Sequence, residues 1–159
     1  MLVSDREQIG IALGRVPSGC AILTVEHQAR STGVLVSWIQ QASFEPLMVS
    51  TAIKRGRPVQ SLLDASGRYL LNLLGENPTS LFRHFGRGFT LAEDAFAGLQ
   101  TQPTSFGRLL PECIAALGCE IRSKMEAGDH DLYVSEVVAA HVAQRLNPYV
   151  HVRGSALTY

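Results

Sequence analysis

Short β-rich apolar runs separated by turn residues limit how this chain can fold. Cys20 to Val25 (CAILTV), Ser31 to Val36 (STGVLV), Leu47 to Ile53 (LMVSTAI) and Tyr69 to Leu74 (YLLNLL) are each six or seven residues long, the length of an ordinary strand. Polar Glu26 to Arg30 joins the first two as a hairpin. Ala115 to Arg122 and His130 to His141 flank a turn containing Gly128, and Tyr149 to Val152 follows Asn147 and Pro148 as a last short strand. Helical patterns are few. Ser4 with Glu7 reads as a capping box ahead of Ile9, Ala12, Leu13 and Val16, which share one face before Gly14 and Pro17 end the helix. Pro58 opens a second helix with Val59, Leu62 and Leu63 inward and Gly67 as its stop, and Thr79 to Phe85 reads as a third that breaks at Gly86 and Gly88. Arg87 to Leu110 is mixed and reads as loop. Regular strand–helix–strand units are missing. The predicted fold is therefore mainly β with peripheral helices, an antiparallel barrel of six or seven strands.

With 159 residues, 46% of them apolar and 18% charged, the chain suits a single domain spanning 1–159. Its 14 basic and 14 acidic residues cancel, so no global field draws it to nucleic acid or to an anionic membrane, and any anion site is local. Met1 to Val3 run straight into Ser4, Asp5, Arg6 and Glu7, without the basic start and apolar core of a secretory signal. Elsewhere charged residues, Gly or Pro interrupt each apolar run well short of a membrane span. A soluble, cytoplasmic protein is expected. Cys20, Cys113 and Cys119 form an odd set with no CxxC pair and are expected to be reduced, buried thiols.

Ser31 to Pro58 combines features no other segment does. Two apolar strands enclose a polar connection bearing Trp38, with Ser37, Gln40, Gln41 and Ser43 as hydroxyl and amide groups, and the segment ends on Lys54, Arg55 and Arg57 ahead of Pro58. Fixed positive charge next to a helix start is suited to a phosphate, and a rigid floor with an aromatic wall is suited to a planar ring. A solvated basic loop and a core or interface Trp are the competing readings.

Gly128, Asp129 and His130 place an imidazole at a turn beside a carboxylate, an arrangement open to hydrogen bonding or proton transfer with a ligand, or to no role beyond the turn. His27, His84, His141 and His151 are scattered with no HExxH or His/Cys spacing, so no metal is expected. Ser18 lies in PSG rather than GxSxG, and Gly86 with Gly88 lacks the rest of a dinucleotide fingerprint.

Gly14 to Val25 (GRVPSGCAILTV), Gly33 to Pro46, YLLNLL and Gly128 to Val138 (GDHDLYVSEVV) together resemble the flavin reductase-like family of FMN-binding split barrels, in the same order and over nearly the whole chain. Within that family SWIQQASFEP is most similar to the flavin reductase modules at the C-terminus of cyanobacterial flavodiiron proteins. Trp38 stands where the family pattern usually has Ser, and Leu47 replaces a second proline. Whether the chain is a stand-alone relative or an excised module stays open at this point.

The resemblance implies an FMN site, with FAD as the alternative, to which Val36, Ser37 and Trp38 contribute from one side and Ala52, Ile53 and Lys54 from the ribityl and phosphate side. Ser43 would lie nearby, Arg57 near the phosphate, and Phe85 at the cleft border. His130 matches the family's Gly-Asp-His histidine, beside the flavin where reduced nicotinamide stacks, and would be catalytic. The implied reaction is hydride transfer from NADH or NADPH to flavin N5, with electrons passed on to a second flavin, a partner protein, iron or oxygen, in a homodimer whose sites lie near the subunit interface. A flavodiiron-type domain is a further implied partner. Two other readings remain: a flavin-binding electron carrier or sensor without pyridine nucleotide activity, and a pyridoxal-phosphate or other phosphate-ligand binder on the same barrel.

Overall fold

The computed structural model describes residues 4–143, 146–154 and 156–157. In chain order the elements are α1 (Arg6–Gly14), β1 (Ser18–Gly19), β2 (Ala21–His27), β3 (Arg30–Val36), β4 (Ile39–Phe44), β5 (Leu47–Lys54), α2 (Val59–Ser66), β6 (Arg68–Leu73), α3 (Thr79–Gly86), β7 (Gln102–Pro103), β8 (Arg108–Leu109), β9 (Ala115–Ala127), β10 (His130–Val142) and β11 (Val150–His151). Seven strands form one antiparallel sheet in the order β3-β2-β6-β9-β10-β5-β4, while β1 pairs with β11 and β7 with β8. The two outermost strands of the sheet, β3 and β4, are consecutive in the chain and joined only through Ser37 and Trp38. That connection bends the sheet back on itself, and the Ala52 amide donates to the Trp38 carbonyl at 3.0 Å, extending the β4–β5 ladder by one residue into it.

β2 explains why its sequence reads as an unbroken apolar run. Ala21 to Val25 are all fully buried because each face of the strand meets a different core. Ala21, Leu23 and Val25 point into the barrel with Val36, Val49, Ile53, Tyr69 and Leu71, under Val59, Leu62 and Leu63 of α2. Ile22 and Cys20 face Leu81 and Phe85 of α3 and the Phe89, Ala95, Phe96 and Leu110 side chains of the 87–110 segment. That segment is mostly irregular, as its sequence predicts, yet it carries half of a core. Buried Asn72 holds it: its Nδ2 donates to the carbonyls of Ile22 and Arg108, and the Leu110 amide donates to its Oδ1 at 2.9 Å.

Three sequence expectations need correction. The polar stretch after Trp38 is strand β4 rather than a connection; it is an edge strand with most side chains in solvent, so the two-residue apolar alternation that marks a half-buried strand is lacking. Asp5, not Ser4, caps α1, accepting from the Gln8 amide at 2.8 Å. And α1 does not bury its apolar face: Ile9, Leu13 and Val16 are exposed, whereas Gly10 and Gly14 are the buried positions. Gly14 is buried because the C-terminal segment crosses it; a Cβ there would lie 2.5 Å from the Arg153 carbonyl oxygen, and the Arg153 amide donates to the Gly14 carbonyl.

Candidate functional site

The seam of the barrel opens into a cavity of about 360 Å³, large enough for a ligand of nucleotide size. Its floor and sides are Val34 to Trp38 at the end of β3, Ala52 to Lys54 at the end of β5, and Arg57. Phe82 and Phe85 of α3 form an apolar wall, and His151 and Arg153 of the C-terminal segment close the remaining side. The opposed placement follows from topology. β3 and β5 end at the seam, and α3 can approach β3 closely because position 33 is glycine, where a Cβ would stand 2.7 Å from Phe85 Cε1.

Among the lining residues the charged groups are Lys54, Arg57 and Arg153, with no carboxylate. His151 adds little charge of its own, since burial first and the neighbouring Arg153 charge second push its imidazole below the ordinary histidine range and favour the neutral ring. A small recess lined by Arg57, Pro58, Val59 and Gly88 adjoins the cavity at the start of α2. The lining thus combines cations from two sides, Lys54 with Arg57 and Arg153, with the apolar surface of Val34, Leu35, Val36, Phe82 and Phe85, a combination suited to an anionic ligand with an apolar part.

Arg55 sits between two lining residues in sequence but is turned away. Its Nε donates to Asp131 Oδ1 at 3.0 Å, and its Nη2 pairs with Glu126 at 2.9 Å. Asp131 is buried and also accepts from Gln60 Nε2 at 2.8 Å. Burial pushes its carboxyl up, but the hydrogen bonds from Arg55 and Gln60 and the Lys124 charge outweigh it and hold it below the usual range. This network ties the Lys54–Arg57 turn and the first turn of α2 to β10, so the cations on the cavity side stand on an anchored base.

The structure brings together Val36, Ser37, Trp38, Ala52, Ile53, Lys54, Arg57 and Phe85 around the cavity. Ser43 is apart from them. It pairs with Met48 in the β4–β5 ladder, about 13 Å along β5 from Ala52, and its Oγ accepts from the Glu45 amide. His130 is opposite Lys54 in the β10–β5 register, but it is only 4% exposed and does not line the cavity. Trp38 covers it, with ring centroids 4.5 Å apart and planes at 42°. On its far side the His130 Nδ1–H donates to Asp129 Oδ1 at 2.7 Å, and that hydrogen bond is the main reason the Asp129 carboxyl lies below its ordinary range. The sequence reading missed Phe82, His151 and Arg153. Nothing in their local pattern links them to residues 33–57, because only the crossing of the C-terminal segment over Gly14 carries His151 and Arg153 there. Among the described residues no group of three or more His, Cys, Asp or Glu gathers, and no helix is long and apolar enough to cross a membrane.

Residues 13–158 match the family described as flavin reductase like domain. A relative from Nostoc sp., a putative diflavin flavoprotein A 3, is 39% identical over 135 residues, covering 84% of this chain and 24% of that protein. Diflavin flavoprotein A 1 of Synechocystis sp. is 37% identical over 145 residues, 90% of this chain and 25% of the relative. The chain therefore spans about a quarter of the length of these curated relatives. Among solved structures, the NADH:FAD oxidoreductase SgcE6 of Streptomyces globisporus C-1027 superposes with a TM-score of 0.84 at 21% identity, over 97% of this chain and 94% of that one. An FMN-binding protein from Thermus thermophilus superposes with a TM-score of 0.72 at 22% identity, over 80% and 73% of the respective chains.

Proposed function

The chain belongs to the flavin reductase-like domain family, and from that premise we propose that it is an NAD(P)H-dependent flavin oxidoreductase whose cavity at the barrel seam holds FMN. The observation that carries this reading is the charge pattern of the cavity: Lys54, Arg57 and Arg153 with no lining carboxylate, set against an apolar wall of aromatic and aliphatic side chains. A phosphorylated flavin has that same division between an anionic tail and a flat ring.

A flavin held there would supply the redox chemistry, taking up a hydride from reduced nicotinamide and handing the electrons to an acceptor. The chain's own residues bind and orient. Lys54 and Arg57 hold the phosphate, with the adjoining recess at Pro58 and Val59 as its seat. Val36, Ser37, Ala52 and Ile53 form the floor for the ribityl chain and ring, Trp38 and Phe85 flank it, and the aromatic wall keeps water from the reacting face. No nucleophilic side chain is needed. The three cysteines fit that, because burial pushes Cys20 to about 11 and Cys113 and Cys119 to about 12.

The partner side of the reading is a homodimer, supported by the exposed apolar side chains of α1 (Ile9, Leu13), Val16, and the β4–β5 hairpin (Phe44, Leu47). Similarity to a quarter of each diflavin flavoprotein supports a flavodiiron-type partner, as a neighbouring domain or a separate chain. The test is anaerobic addition of NADH, then NADPH, to the FMN-loaded protein while the flavin absorbance band is followed. Bleaching by either nucleotide is expected. Bound flavin that stays oxidised with both would replace the reductase reading with that of an electron carrier, and failure to bind flavin would remove the cofactor itself.

A further inference from the structure

The C-terminal cover of the cavity contains a polar atom that the fold leaves without a partner. His151 of β11 lines the cavity and is half-buried. Its ring packs among aromatic neighbours, with centroids 6.1 Å from Phe82 and 6.2 Å from Tyr149, and those two rings meet each other at 5.8 Å. Of its two nitrogens, only Nδ1 is shut off from water without a hydrogen-bond partner. A buried nitrogen in that state needs a physical reason. A hydrogen on Nδ1 would be a donor with nothing to accept it, which is costly away from water. A charged ring would carry that same N–H and would also set its charge beside Arg153, two residues on and likewise lining the cavity. Burial and the Arg153 charge accordingly push the imidazole below the ordinary histidine range. The form that meets both conditions is the neutral ring with its hydrogen on Nε2.

We propose that His151 is a specificity-determining residue of the cavity: its neutral Nε2–H donates to an acceptor atom on the edge of the flavin ring, so that the C-terminal segment recognises the ring while Lys54 and Arg57 take the phosphate. This inference rests on the flavin reading of the cavity and adds a contact from the wall opposite residues 33–57. The chemistry of the two walls differs in the required way. A phosphate is matched by fixed cations, whereas a ring carbonyl oxygen or ring nitrogen is matched by an uncharged donor that loses little on leaving water. Arg153, the other polar side chain of this wall, is already engaged, its guanidinium lying 4.9 Å from the centre of the Trp38 ring. The contact also links closure to occupancy, because a segment held by few backbone bonds gains a further bond only when the ring is in place.

The first test uses the wild-type protein and so does not depend on any variant folding. Nitrogen NMR of the His151 ring at neutral pH, without ligand, is expected to show a single hydrogen, on Nε2; a hydrogen on Nδ1 or on both nitrogens would overturn the inference. Riboflavin, which has the ring and no phosphate, is then added, and the Nε2 resonance is expected to move; an unmoved resonance at full occupancy would overturn it as well. Titration calorimetry with riboflavin next compares wild type with His151→Gln, His151→Asn and His151→Leu. All three lose the packing of the imidazole, but only the glutamine amide nitrogen reaches the place of Nε2, whereas that of asparagine stands at Nδ1. His151→Leu and His151→Asn are expected to weaken riboflavin about 3- to 10-fold, and His151→Gln to stay within about twofold of wild type. FMN should lose the same factor as riboflavin in each variant, since the phosphate is not involved. Equal losses in His151→Gln and His151→Leu, or no loss in His151→Leu, would overturn this inference and leave the flavin reading standing. Failure of the wild type to bind either flavin would overturn the flavin reading of the cavity and this inference together.

Discussion

The cavity has two kinds of wall, built with unequal security. Residues 33–57 belong to β3, β4 and β5 of the seven-stranded sheet, with Val36 and Ile53 in the barrel core and Arg55 clamped by Asp131 and Glu126. The opposite wall, His151 and Arg153, belongs to a segment held by the two-residue pairing of β11 with β1, the isolated bridge of Pro148 with Gly75, and single backbone bonds from the amides of Tyr149, Arg153 and Ala156 to the carbonyls of Leu74, Gly14 and Gly10. The difference teaches that Lys54, Arg57 and the strand floor of the cavity are placed by the global fold, whereas the cover is placed by a few local contacts and is expected to open at a lower cost than the rest.

Several experiments bear on that contrast. The largest expected effect is on binding. Replacing Lys54 or Arg57 by Ala should weaken FMN roughly 10- to 100-fold each while leaving riboflavin nearly unaffected, as read by calorimetry; equal losses for both ligands would mean the cations do not meet the phosphate. Next in size, Gly33→Ala forces Phe85 to move and should lower global stability by about 1–3 kcal/mol, measured by denaturant unfolding. Gly14→Ala gives the opposite result if the second wall is only locally held. The helix gains about 1 kcal/mol from the exchange, offsetting the displaced Arg153, so the midpoint moves little while Trp38 emission changes and the amide of Arg153 exchanges faster. A fall in global stability like that of Gly33→Ala would erase the distinction between the walls.

A pH series probes the anchored wall from outside. The folded-state pKa of Asp131 is below the ordinary carboxylate value, so its contribution is fully present above that value, about pH 4, and is lost as pH falls through the folded one. Unfolding by acid should therefore steepen below about pH 4, and Asp131→Asn should flatten that part of the profile. The smallest effect concerns the thiols. Cys20, Cys113 and Cys119 are buried and raised in pKa, so a thiol reagent at neutral pH should label them only as the protein unfolds.

The same contrast explains what was legible in the sequence. β2, β3, β5 and β6 were readable to within a residue or two because apolar runs in a barrel are strand cores, and the resemblance to the family drew Val36, Ser37, Trp38, Lys54 and Arg57 into one site. β4 was not readable, since an exposed edge strand with Gln40, Gln41 and Ser43 has no inward face to pattern. Arg55 looked equivalent to Lys54 and Arg57 until the β10 register placed Asp131 beneath it. The contact of Trp38 with His130 joins residues far apart in the chain that meet over β5, and His151 and Arg153 reach the cavity through tertiary packing alone.

The most direct measurement is the affinity of the wild-type protein for FMN and for riboflavin, determined side by side by titration calorimetry. A cavity that grips a phosphorylated flavin through Lys54 and Arg57 should bind FMN about tenfold or more tightly than riboflavin. Equal affinity for the two, or no affinity for either, would contradict it.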